Sequence, residues 1–123
     1  MYAPYDNRKD FWQNLEGCGF FDIPSLIIVG DLNFTLGTTE IWGQKGSVGT
    51  LASFFINLFH DKILMDIAPK QLCPAWRNGC SNIDEIAKRL DRFLIHISLL
   101  SRLKSLASYS ISTRVSDHDI VFL

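Results

Sequence analysis

The chain has 123 residues, its 12 Lys and Arg against 13 Asp and Glu leave a formal net charge of −1, and 47% of it is hydrophobic. At roughly 100 to 200 residues per domain this is enough for one core, and the apolar content excludes a disordered tail, a collagen repeat or a charge-rich coiled coil. No apolar run reaches the ~20 residues that cross a bilayer, Met1-Tyr2-Ala3-Pro4 lacks the basic and apolar regions of a signal peptide, and the widely spaced Cys18, Cys73 and Cys80 suit free thiols in a reducing compartment.

These features predict a soluble, unsecreted chain with no membrane partner. The balanced charge removes the simplest argument for nucleic-acid binding but leaves room for a local basic surface.

Tyr2-Ala3-Pro4 reads as extended, because proline pushes the residue before it out of the helical region. Asp6 and Asn7 then offer side-chain oxygens to start a helix over Arg8 to Leu15, which Gly17 and Gly19 end. Leu26-Ile27-Ile28-Val29-Gly30 is a continuous apolar run of the kind found in a strand buried on both faces, and it stops at Asp31-Leu32-Asn33. Residues 35 to 50 are rich in Thr, Gly and Ser and read as a long loop. Apolar residues at 51, 54, 55, 58 and 59 predict a helix from Thr50 to His60, and Ile63 to Ile67 a short strand.

Beyond Pro69 and Pro74, Trp76 starts a strand and Asn78-Gly79 signals a turn. Residues 89 to 95 alternate and then become wholly apolar, as a strand entering a core does; 98 to 106 suit a short helix, and Ile120 to Leu123 a last strand. Asp84-Glu85 beside Lys88-Arg89 reads as a solvated charge cluster, and His60 and His96 as helix-end or core histidines. Strands alternating with helices predict an α/β or α+β layered fold over residues 1 to 123.

Polar clusters sit at the predicted strand ends: Asp31 with Asn33, Asp91 after Arg89-Leu90, and Asp117 with His118. Ligand sites gather at such edges in layered folds. Carboxylates suit a hard divalent cation, amide and imidazole N–H groups suit a phosphoryl oxygen on which charge develops, and a further carboxylate can fix an imidazole tautomer. Cys73 and Cys80, in a Cys-x₆-Cys spacing, match no common structural zinc motif.

Gly30-Asp31-Leu32-Asn33, Arg89-Leu90-Asp91-Arg92-Phe93-Leu94 and Ser116-Asp117-His118, in that order and rough spacing, resemble the endonuclease/exonuclease/phosphatase superfamily, which includes the apurinic/apyrimidinic endonucleases. Tyr2-Ala3-Pro4, Phe11-Trp12, Thr39-Glu40-Ile41-Trp42-Gly43 and the stretch from Pro74 to Arg89 make the likeness closest to the endonuclease domain of plant LINE-type retrotransposons. It covers nearly the whole chain but only the C-terminal half, or slightly more, of the family's domain. An upstream strand carrying an asparagine and a metal-binding glutamate has no counterpart in the sequence.

The resemblance implies part of a four-layer α/β sandwich, the DNase I-like fold, and Mg²⁺- or Mn²⁺-dependent hydrolysis of DNA phosphodiester bonds. It implies that Asp31 orients the attacking water, Asn33 positions nucleophile and phosphate, Asp117 serves the metal, His118 hydrogen-bonds the phosphate and Asp91 orients His118. Tyr2 and Trp76 fall on the phosphate- and DNA-contacting positions. DNA is the implied partner and the nucleus the implied place of action. A metal site without the upstream glutamate is expected to bind its ion weakly, and a lone sheet to leave Ile27, Val29, Phe93 and Ile95 open. The alternatives are a catalytically dead retroelement remnant with weak nucleic-acid or protein binding, and a phosphatase of the same superfamily acting on inositol or sphingolipid substrates.

Overall fold

The computed structural model describes residues 7–111 and 117–122. Tyr2 and its neighbours at 1–6, and Ser116, lie outside the described residues.

The first helix, α1 (Arg8–Gly17), ends where Gly19 adopts a left-handed φ of 75°, a conformation that costs glycine little. It buries Trp12. The second helix, α2 (Ala52–Asp61), buries Ala52, Phe55, Leu58 and Phe59 on one stripe, as its spacing predicts. Between them, β1 (Ile27–Asp31) pairs antiparallel with β6 (Asp91–His96), whose other edge takes β3 (Leu64–Asp66), giving the order β1-β6-β3.

A second antiparallel sheet is built from three two-residue strands, β2 (Ile41–Trp42), β5 (Ala87–Lys88) and β4 (Trp76–Arg77), in the order β2-β5-β4. The turn from β4 to β5 is closed by Asn78, whose Oδ1 accepts from the Cys80 and Ile86 N–H groups and whose Nδ2 donates to the Asp84 carbonyl. A two-stranded ribbon, β7 (Tyr109–Ile111) with β8 (Ile120–Phe122), completes the described elements. The domain is therefore a small mixed α+β fold of two helices and two three-stranded antiparallel sheets.

Helices cover one face of the larger sheet. Trp12, Phe21, Phe34, Phe55, Phe59 and Leu94 form the main core there, with Phe34 and Phe55 stacked at a centroid distance of 3.7 Å. On the other face Phe93 and Ile95 are buried with Ile67 and Leu99, against Leu100 and Leu106.

Three sequence expectations are corrected. The strand at Ile27–Asp31 is not buried on both faces: Ile27 is 48% and Val29 55% exposed, because an antiparallel edge strand alternates and only its helix-facing side is covered. Phe93 and Ile95 are not open; the chain after β6 folds back over them. That returning segment, expected as a helix over 98–106, contains instead a 3-10 turn at Ile97–Leu99 and irregular chain.

The charge cluster also divides. Asp84 is exposed and pairs with Lys45, whereas Arg89 is 3% exposed. Its guanidinium binds both carboxylate oxygens of Asp66 at 2.7 Å and Glu40 Oε1 at 2.8 Å. Arg92, 1% exposed, binds the same two carboxylates and the Phe34 carbonyl, over the Phe34 ring. Two cations and two anions thus neutralise one another inside the fold, tying the 36–40 loop and β3 to β6. Burial alone would raise the Glu40 carboxyl, but Arg92 and Arg89 and the Leu36 N–H hold it below the ordinary carboxylate value.

Candidate functional site

The register between β1 and β6 places Asp31 directly opposite Asp91. Two carboxylates in facing positions repel, so the pair calls for a cation or a proton donor between them. His118 fills that role: its Nδ1 lies 3.1 Å from Asp91 Oδ2 and its Nε2 3.8 Å from Asp31 Oδ2. Three residues separated by tens of positions meet at one end of the sheet.

The strand β4 brings His118 there. The Arg77 N–H donates to the Asp117 carbonyl at 3.0 Å, and the Asp119 N–H donates to the Ala75 carbonyl at 2.6 Å, a bridge that sets His118 opposite Trp76. Side chains reinforce it: Trp76 Nε1 donates to Asp117 Oδ2 at 3.1 Å, and Arg77 faces Asp119 at 3.5 Å. On the opposite flank Asn33 has a φ of 60°, a left-handed conformation that asparagine tolerates better than most residues, and its N–H donates to Asp31 Oδ1 at 2.8 Å. This bond aims the Asp31 carboxylate as the chain leaves β1.

Titration follows the geometry. Burial acts to lower the His118 pKa, yet the hydrogen bond to Asp91 and the charges of Asp91, Asp31 and Asp117 outweigh it and hold the imidazole above its ordinary value. Asp91 is raised, first by burial and then by the charges of Asp31 and Asp119, against the lowering effect of His118. The site thus favours the protonated ring, with Asp91 fixing its orientation through Nδ1.

A cavity of about 620 Å³ opens beside this constellation. Asp31, Asn33, Trp76 and His118 contribute to its walls; Asp91 and Asp117 do not, and act through their bonds to His118 and Trp76. Tyr2 lies outside the described residues. Among the described residues no group of three His, Cys, Asp or Glu side chains is arranged to hold a metal. Asp31 and Asp117 are nevertheless hard oxygen donors near one imidazole.

Sequence reasoning missed Arg8, Lys9 and Lys88, which also line the cavity, and Asp119, which acts on Asp91. A signal was present for the first two: cations in the first turn of a helix oppose its dipole. The free state of all three cysteines is as expected. His96 hydrogen-bonds Ser98, and His60 stands in the last turn of α2, a helix-end position as expected, 88% exposed beside Asp61. No helix among the described residues is long and apolar enough to cross a membrane. No known family model and no curated protein matches the chain.

Proposed function

We propose that this cavity is a phosphodiesterase site that hydrolyses DNA, in a domain of the endonuclease/exonuclease/phosphatase type that contributes part of a four-layer sandwich. The observation that carries the reading is His118 held between Asp91 and Asp31 on the wall of a cavity. The three sequence motifs quoted above supply its link to DNA and to a nuclear place of action.

In this reading the imidazolium donates from Nε2 to a phosphoryl oxygen as negative charge builds during attack by water. Asp91 keeps a proton on Nδ1 and the ring in place. Asp31 accepts a proton from the attacking water as its oxygen bonds to phosphorus, the bond to one sugar oxygen breaks and that oxygen leaves with a proton drawn from solvent, and the Asn33 amide orients the water and the phosphate. Trp76 steadies Asp117 through its indole N–H. Asp117 and Asp31 would hold Mg²⁺ or Mn²⁺ together with the substrate, and the ion when bound supplies Lewis-acid polarisation of the phosphate.

Supercoiled plasmid incubated with the chain and Mg²⁺ tests this. Nicking that His118→Ala reduces by a hundredfold or more supports it. Equal nicking by both proteins, or none by the wild type, overturns it. One observation favours the second reading, a non-catalytic remnant: an oxygen of Asp31 and one of Asp117 already accept hydrogen bonds from Asn33 and Trp76, leaving fewer lone pairs for an ion. DNA binding without nicking by the wild type supports that alternative.

A further inference from the structure

The cavity is larger than one phosphoryl group requires and falls in the range of whole small-molecule sites. Besides Asp31 and His118, its charged lining is entirely basic: Arg8, Lys9 and Lys88. Lys88 is half-buried in β5, paired across the sheet with Trp76 on one side and Ile41 on the other. Lys9 is exposed on α1 with its ammonium 5.9 Å from the Phe54 ring centroid, which steadies the side chain. Arg8 lines the cavity as well but is only 6% exposed, so the two lysines are its accessible cations.

Among the described residues no carboxylate lies within ion-pair distance of Lys9 or Lys88. The chain as a whole is balanced in charge, and two cations opening a helix cost some stability against its dipole. Two ammonium groups on one cavity, neither ion-paired among the described residues, call for an anion from outside.

We propose that Lys9 and Lys88 form a second anion subsite that takes the phosphate adjacent to the scissile one along a nucleotide chain. This rests on the phosphodiesterase reading of the same cavity and assigns its specificity: the ligand carries at least two neighbouring phosphates. Trp76 adds an aromatic side chain to the same lining, which suits a nucleobase and has no use for a cyclitol polyphosphate.

The test is equilibrium binding in EDTA, where nothing is cut. The probes are fluorescent dithymidine nucleotides with one internal phosphate, with an added 5′-phosphate, or with an added 3′-phosphate. The wild type is expected to bind one of the two-phosphate probes at least tenfold more tightly than the one-phosphate probe. Lys9→Ala/Lys88→Ala is expected to reduce that ratio to below threefold. It should also flatten the salt dependence of the preferred probe, at about 0.7 in the log–log slope per lost phosphate contact.

Circular dichroism checks that the double variant folds, and Lys9→Ala alone, on an exposed side chain, serves if it does not. Equal affinity of the wild type for one- and two-phosphate probes overturns the subsite. So does a ratio that survives both substitutions, or inositol bisphosphate binding as tightly as the dinucleotide. Hydrolysis of bis(p-nitrophenyl) phosphate, which carries a single phosphate, reports on the His118 chemistry separately. Its presence alongside equal affinities would sink the subsite alone, and its absence would sink the phosphodiesterase reading.

Discussion

Replacing Arg92 with methionine probes the charged cluster beneath the site. The guanidinium is fully buried and serves Glu40, Asp66 and the Phe34 carbonyl. Methionine keeps much of the volume and the contact with Phe34 but leaves two carboxylates sharing Arg89. Glu40, whose side chain is only 8% exposed, and Asp66, at 16%, then carry one negative charge without a counterpart. Removing one partner of a buried ion pair costs about 3–5 kcal/mol. Against a total of roughly 6–18 kcal/mol for a domain of this length, that is a fall in Tm of roughly 10–20 °C.

Urea unfolding followed by circular dichroism measures the loss. Adding Glu40→Gln to Arg92→Met removes the stranded charge and is expected to restore 1–3 kcal/mol, because most of the single-variant cost is an unpaired anion and not lost attraction. A single-variant loss below about 1 kcal/mol, or a double variant no more stable than the single, would refute this account of the cluster.

Two further perturbations follow from the geometry. His118 has its pKa raised in the folded chain, so its contribution to stability is fully present below its unfolded value of about 6.5 and fades as pH rises through the folded value. The stability difference between wild type and His118→Asn should therefore shrink from pH 5.5 to 8.5 in urea titrations, and a difference that grows would contradict the pairing with Asp91. Gly43 has a φ of 107°, and a Cβ there would stand 2.1 Å from the Glu85 carbonyl oxygen. Gly43→Ala is expected to cost about 1–3 kcal/mol and to loosen β2 from β5, visible as faster amide exchange at Ala87 and Lys88; an unchanged exchange rate would show that the loop relaxes freely.

The parts of the fold legible from sequence are those with a local signal. Helix start and stop residues located α1, apolar spacing α2, and apolar runs β1 and β6, and the strand-end positions of Asp31 and Asp91 followed from them. Which residue faces which did not, because register depends on partners: Ile27 and Ile95 are neighbours on one face, yet the first is half exposed and the second fully buried. Two-residue strands such as β2 and β5 carry no pattern to read. The burial of Arg89 and Arg92 was equally hidden, since their countercharges, Glu40 and Asp66, lie far off in the chain and a run of charges read locally looks solvated. Lys88 enters the cavity through the same short sheet, which is why it went unnoticed.

The clasp between 75–77 and 117–119 has a consequence for how the chemistry could be silenced. Its two backbone bonds and the bridge at Trp76 involve neither the aromatic core nor the buried charge cluster. A fluctuation that unzips this segment would withdraw the imidazole while the helices and the larger sheet stay intact. Such a local opening would need less free energy than global denaturation, and a ligand bridging Trp76 and His118 would oppose it.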